Sequence, residues 1–368
     1  MGPQILAERY RLVEPIGHGG MGTVWRAEDE LLHRQVAVKE VRVSRDLEAD
    51  VRDELVRRTM REARICAGLS HPSIVTVHDV VQEADRPWII MELVRGRGLD
   101  QVVQDDGPLP PRRVAEIGRR LLAALRAAHE AGVLHRDVKP GNVMLLPDGR
   151  PVLSDFGIAV SDSEDRLTLT GRLPGSPGYV APERLHDGTM TPAADLWSLG
   201  ATLYFAVEGR SAYERDTPAA RLTAAMQEAP DPARRAGPLR PVLNGMLQHD
   251  PEHRLVGAAL DSALADVAAG GTTEDLTPTR LDVSGLAPPR AVTGPNTPLP
   301  VGAKMTMGAP GGFGAAHRGR WWGLLISLLV GIVTLILAPL LVEYLSSTLL
   351  PEDQPGPSPS SQTATPGG

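Results

Sequence analysis

A handful of polar side chains between positions 135 and 157 has the chemistry needed to move a phosphoryl group. His135-Arg136-Asp137-Val138-Lys139-Pro140-Gly141-Asn142 is followed by Ser154-Asp155-Phe156-Gly157. Phosphoryl transfer asks little covalent chemistry of a protein. It needs a carboxylate to orient a hydroxyl, hard oxygens for Mg2+ or Mn2+, and positive charge on the phosphates. Asp137 supplies the first, Asn142 and Asp155 the second, and Lys139 the third.

Upstream, Gly17-His18-Gly19-Gly20-Met21-Gly22-Thr23-Val24 has the spacing of a backbone that bends over phosphates with its amides turned to the anion. The same string opens dinucleotide folds, but there a helix must start at the third glycine. Here Val24-Trp25-Arg26-Ala27 follows and reads as a strand, so the loop is expected to be a hairpin lid. Val36-Ala37-Val38-Lys39 is a strand pattern ending in lysine. Only Lys39, Lys139 and Lys304 are lysines among 38 basic residues, so a lysine here stands out against a strong arginine preference. Glu62, in Arg61-Glu62-Ala63, is the candidate carboxylate to hold the Lys39 ammonium.

These residues need a scaffold that changes character part-way along the chain. From Tyr10 to about Val94 the pattern is strand-rich, with β-branched runs at Val36–Val38, Ile74–Val77 and Trp88–Leu93. One helical stretch, about Val51 to Leu69, interrupts it and carries Glu62. From Pro110 to about Ala269 the period becomes helical, as in Val114–Ala131 with Leu121, Leu122, Leu125 and Ala128 on one face. The change near Arg95–Gly98 is the expected boundary between two lobes.

Taken together the motifs resemble those of bacterial Hanks-type serine/threonine protein kinases, over about Tyr10 to Leu264. The resemblance implies an α+β, two-lobed protein-kinase fold with a small β-rich N-lobe and a larger helical C-lobe, within a domain of residues 10–269. It implies that ATP is bound by Ile16, Gly17, His18, Gly19, Gly20, Met21, Gly22, Thr23, Val24, Ala37, Lys39 and Met144. Met91 falls at the gatekeeper, and Glu92 to Val94 at the hinge that faces adenine. Lys39 would pair with Glu62 and the phosphates, Asp137 would be the catalytic base with Lys139 beside it, and Asn142 and Asp155 would hold the metal. Ala181-Pro182-Glu183 matches the end of the activation segment, with Arg254 as its salt-bridge partner, and Asp195 matches the residue that braces the catalytic loop. Lysine at position 139 is the form found in serine/threonine rather than tyrosine kinases. Ser176 stands where the family usually has threonine, so the hydroxyl is kept. Thr168 and Thr170 lie between Asp155 and Glu183, and a phosphate on them, opposite Arg136, would order the segment. Cys66, one turn after Glu62, reads as packing.

The chain of 368 residues has a formal net charge of -7, which supplies no basic field for nucleic acid. One cysteine excludes an intrachain disulfide. Residues 270–319 are rich in Gly, Pro and Thr without hydrophobic period, the composition of a disordered linker. Thr277, Thr279, Thr293 and Thr297 in it are candidate phosphosites for phosphothreonine-reading domains. Residues 321–342 contain no ionisable side chain, and about 20 apolar residues suffice to cross a bilayer. Arg318 and Arg320 precede this expected transmembrane helix, and Glu343, Glu352 and Asp353 follow it. That asymmetry puts the kinase-like region on the cytoplasmic side of a cell membrane, with the N-terminus inside. Residues 343–368 would form a short disordered tail outside. Gly323, Ser327 and Gly331 recur on one face of the span, a pattern that brings helices into a homodimer.

Overall fold

The computed structural model describes residues 4–19, 22–43, 48–84, 86–156 and 176–271. Gly20, Met21, Thr168, Thr170, all but the first two residues of the expected linker, and the expected membrane span and tail lie outside the described residues. Among those described, no helix is long and apolar enough to cross a membrane.

The N-lobe is an antiparallel sheet built from β1 (Ile5–Leu6), β2 (Tyr10–Gly19), β3 (Gly22–Asp29), β4 (Arg34–Glu40), β5 (Val77–Glu83) and β6 (Arg86–Glu92), in the order β1-β2-β3-β4-β6-β5. Side chains alternate across a strand. Val36 and Val38 accordingly join Leu12, Ala27, Trp88 and Ile90 in one apolar cluster, while Ala37 and Lys39 point to the opposite face. That face meets α1 (Ala49–Ala67), whose buried Val56, Met60, Ala63 and Cys66 form a stripe of helical period. The helix begins and ends two residues earlier than the sequence pattern suggests. The expected strand at Ile74–Val77 shrinks to a single bridge from Ile74 to Leu153, with regular pairing only from Val77.

The C-lobe follows β7 (Arg97–Gly98) and α2 (Leu99–Asp106) with α3 (Pro111–Glu130), β8 (Val143–Leu145), β9 (Pro151–Leu153) and α4 (Pro182–Asp187). Next come α5 (Pro192–Glu208), α6 (Pro218–Gln227), α7 (Arg240–Met246) and α8 (Gly257–Ala268). Proline at the first turn of α3, α5 and α6 costs no hydrogen bond, because those amides have no helical partner. The α5 helix is buried almost all round, from Ala194 to Val207, and is therefore the axis of the lobe. Gly118 on α3 lets it pack closely on its neighbours: a Cβ there would stand 2.8 Å from Leu203 of α5 and 3.4 Å from Leu264 of α8.

Candidate active site

The catalytic loop hangs on one buried carboxylate. Asp195, in the first turn of α5, accepts from the His135 and Arg136 amides at 2.8 Å each and from His129 Nε2 at 2.8 Å. Burial alone would raise the pKa of Asp195, but the hydrogen bond from His129 and the other donors outweigh it and hold the group below the usual carboxylate range. Those two loop amides spend their hydrogen bonds on a single side chain, which fixes the path of the backbone through Arg136, at a left-handed φ of 67°. A non-glycine residue there costs about 1–3 kcal/mol and persists only when its surroundings over-determine it.

His135 is a second brace. The Asp137 amide donates to its Nδ1 at 3.2 Å, so Nε2 carries the proton and donates to the Ser154 carbonyl at 2.9 Å. Burial lowers its pKa, which keeps this neutral tautomer. Its ring packs on Phe156 at 4.5 Å between centroids, linking the loop to the Asp155-Phe156 segment. Ser154 N in turn donates to the Asn142 carbonyl at 2.9 Å.

Within this frame Asp137 is pinned through Oδ2, which accepts from Lys139 Nζ at 2.6 Å and from Asn142 Nδ2 at 3.1 Å. Asn142 Nδ2 also donates to the Asp137 carbonyl at 2.8 Å. Both donors of Asn142 face Asp137, which leaves its amide oxygen as a hard ligand. Asp155, again at a left-handed φ (60°), accepts from Lys39 Nζ at 2.7 Å through Oδ1 and keeps Oδ2. Burial would raise its pKa, and the Lys39 charge reverses that and holds it low. No group of three or more His, Cys, Asp or Glu side chains gathers as a metal cluster among the described residues. Two hard oxygens suit Mg2+, which takes few protein ligands and completes its shell with phosphate and water.

The upper half of the site departs from expectation. Lys39 pairs with Asp155, whereas Glu62 pairs with Arg136 Nη1 at 3.2 Å and Arg58 Nε at 3.5 Å. The expected Lys39–Glu62 ion pair is not among those of the described residues. Guanidinium forks match a carboxylate better than an ammonium does, and two of them flank Glu62. Arg136, the residue expected to face a phosphothreonine, pairs with Glu62, and Thr168 and Thr170 lie outside the described residues.

The expected adenine side is lined by apolar side chains. Ala37, Val75, Met91 and Val152 form a buried cluster onto which Val24, Leu93, Val94, Met144 and Leu146 pack. Ile16 is exposed and stays outside that cluster. Glu92 is exposed, its amide bonded to the Thr76 carbonyl at 2.8 Å. Gly17 pairs with Val24, His18 with Thr23 and Gly19 with Gly22, so the described residues of the glycine string pair as two antiparallel strands. Gly22 is demanded by packing: its φ is +149°, and a Cβ would fall 1.8 Å from the Glu40 carbonyl oxygen. Val75, Val152 and Leu146 could have been found only by knowing which segments meet. His129 could have been marked, as a histidine on the last turn of α3 just before the loop.

Behind Met91 a cavity of about 20 Å³, lined by Lys39, Cys66, Ile74, Ile89 and Phe156 among others, holds room for one water. Burial pushes the Cys66 thiol up to about 11, with Glu62 adding to the shift, so it packs as an apolar group. Farther down, Arg254 is fully buried and binds Glu183 at 2.6 Å through both guanidinium nitrogens, its other bonds going to the Gln248, His249 and Ala193 carbonyls.

This arrangement is that of a protein kinase, and the chain belongs to the protein kinase domain family, which matches residues 10–264. Its relatives are bacterial serine/threonine kinases. PknK of Mycobacterium tuberculosis is 46% identical over 215 residues, 58% of this chain and 19% of PknK. A "probable serine/threonine-protein kinase" of Corynebacterium efficiens is 41% identical over 235 residues, 62% of this chain and 35% of that protein. PknA of M. tuberculosis is 34% identical over 334 residues, 87% of this chain and 74% of PknA. The matched part thus spans about a fifth of PknK and a third of the Corynebacterium protein.

Proposed function

We propose that this chain is an ATP-dependent serine/threonine protein kinase that moves the γ-phosphoryl group of ATP to Ser or Thr hydroxyls of proteins. The observation that carries the reading is the fixed Asp137–Lys139–Asn142 triangle, set opposite Lys39 and Asp155. Asp137 Oδ1, with no hydrogen-bond partner among the described residues, is the atom to accept the proton of the incoming hydroxyl. Lys139, already on Asp137, neutralises charge on the moving group, and Lys39 does the same for the α- and β-phosphates. Asn142 and Asp155 would hold Mg2+, whose charge supports the phosphates when bound. Ala37, Met91, Val94 and Met144 supply the apolar walls for adenine.

Activation fits the pairing of Glu62. A phosphate on Thr168 or Thr170 carries more charge than a carboxylate and would displace Glu62 from Arg136, freeing it to reach Lys39. Membrane anchoring through residues 321–342, with the kinase domain cytoplasmic, rests on composition and flanking charge. The same holds for the homodimer through Gly323, Ser327 and Gly331, and for the linker threonines as docking sites for phosphothreonine-reading domains. The direct test is transfer of labelled γ-phosphate from ATP and Mg2+ to a protein, with the phosphoamino acid identified. Label on Ser or Thr whose rate of appearance falls at least about a hundredfold with Asp137→Asn is the expected result, and label appearing at the wild-type rate in that variant would refute the assignment.

A further inference from the structure

The C-lobe carries a second polar site on its far loop. An open cavity of about 590 Å³ is lined by Glu208, Arg210, Asp231, Pro232, Arg234 and Arg235. Both of its carboxylates are already satisfied. Glu208 Oε1 accepts from the Arg235 and Ala236 amides at 2.6 and 3.1 Å. Asp231 accepts from Arg210 at 2.9 Å and Arg215 at 3.3 Å, and the Arg210 guanidinium lies over the Tyr204 ring. By contrast, the guanidinium groups of Arg234 and Arg235 are exposed and make no hydrogen bond or ion pair among the described residues. Ala233 and Ala236 on either side are buried, and Glu208 pins the intervening backbone. Two neighbouring cations are therefore presented outward from a fixed loop.

We propose that this cavity is a phosphopeptide site, and that its occupant is this chain's own segment Thr272-Thr273-Glu274-Asp275-Leu276-Thr277 phosphorylated on threonine. The charge argument selects phosphate over carboxylate. Exposed Arg–carboxylate pairs contribute next to nothing, whereas a phosphate dianion offers three acceptors to adjacent guanidinium forks.

The occupant follows from where the chain leaves the lobe. α8 packs on α3, with Arg119 pairing to Asp261 at 3.1 Å and Gly118 facing Leu264. Pro111, the first residue of α3, is the neighbour of Gly237, where a Cβ would come within 3.9 Å of its ring. Gly237 opens the turn Gly237–Leu239, two residues after Arg235, and that turn packs on both α3 and α8. The exit is fixed as well: Gly270 has a φ of 89°, and the Gly271 amide closes on the Asp266 carbonyl at 2.8 Å, the closure typical of a helix C-terminus. From Gly271, Thr277 is six residues away, a reach of up to about 20 Å. Glu274 and Asp275 add negative charge on the way.

Binding is read without catalysis, so its failure would leave the kinase assignment standing. The probe is a fluorescent peptide of residues 270–282 with phosphate on Thr277, titrated by anisotropy into full-length Asp137→Asn protein in detergent. That protein carries no phosphate from its own activity. Binding at least about tenfold tighter than that of the unphosphorylated peptide is expected, with weakening at higher salt. Arg234→Gln with Arg235→Gln should cost a similar factor while the melting temperature and, in the Asp137 background, transfer to a protein substrate stay at their starting values. Equal affinity for both peptides, or undiminished binding to the double variant, would overturn the site. Equal binding of a scrambled phosphopeptide of the same composition would overturn the occupant.

Discussion

The two halves of the active site are held in different ways. Below, the His135, Arg136 and Asp137 amides end on the Asp195 and His135 side chains, and the Ser154 amide next to Asp155 ends on the Asn142 carbonyl, so moving this backbone breaks main-chain hydrogen bonds. Above, Lys39 and Glu62 are held by side-chain ion pairs, Lys39 to Asp155 and Glu62 to Arg136 and Arg58. Side-chain pairs between separate elements can be exchanged for others of similar energy, whereas a buried carboxylate that organises a loop cannot. The reaction centre is thus built once by folding, and the nucleotide-facing pair is where activity can be set.

The largest effect should come from the fixed half. Asp137→Asn keeps the shape that Lys139 and Asn142 grip but removes the proton acceptor, and should slow transfer about 10²–10⁴-fold. Its melting temperature should stay at the wild-type value. Lys39→Met should act similarly from the upper half, because the ammonium is lost whichever carboxylate it pairs with. Single-turnover rates near wild type for Asp137→Asn would show that the fixed half is not the reaction centre.

Next in size is the anchor beneath the loop. Glu183→Ala would leave Arg254 buried with an uncompensated charge, a loss of about 3–5 kcal/mol. A fall in melting temperature on the order of 10 °C should follow. If calorimetry finds the variant as stable as the wild type, the fixed half does not depend on this pair.

How much of this was legible follows the same division. The glycine string, Val36–Lys39, the Asp137 loop and Asp155 could be placed because each lies within one short segment of fixed chemistry. Asp195 and Arg254 could be placed through the motif resemblance, though 58 and 71 residues separate them from Asp137 and Glu183. The partner of Glu62 could not. Glu62 has an arginine four residues before it on α1 and another arriving from the catalytic loop, and only tertiary packing brings Arg136 within 3.2 Å. Val75 and Val152 likewise enter the adenine wall because Val75 N bonds the Leu153 carbonyl, a contact no local pattern announces.

A smaller effect should isolate the exchangeable half. Protein with Thr168→Ala and Thr170→Ala, compared with phosphorylated wild type, should be about 5- to 150-fold slower, the range of a coupling of about 1–3 kcal/mol. A double-mutant cycle sharpens the point. In unphosphorylated protein Glu62 should couple to Arg136, and after phosphorylation to Lys39. Equal rates with and without the two hydroxyls would mean that Glu62 changes partner by some other route, or not at all.

The smallest effect is a pH dependence to which the fixed half contributes through His135. His135 is buried as the neutral ring, and its folded pKa lies below the ordinary value of about 6.5. Below that value the unfolded chain binds a proton that the native chain refuses, so stability falls as the pH drops from about 6.5 toward the folded value. One such group contributes at most ~1.4 kcal/mol per pH unit. Asp195 acts in the same sense but only in the acid range below about 3.9, since its pKa is lowered too. Urea unfolding at pH 7.5 and pH 5.5 should therefore show a loss in the wild type that is smaller in His135→Asn. His71 and His78 are also lowered by burial, and both lie in the segment between α1 and β5 or in β5 itself. An unchanged pH dependence in His135→Asn would assign the titration to that pair, and the acid sensitivity would then belong to the nucleotide-side lobe instead of the catalytic loop.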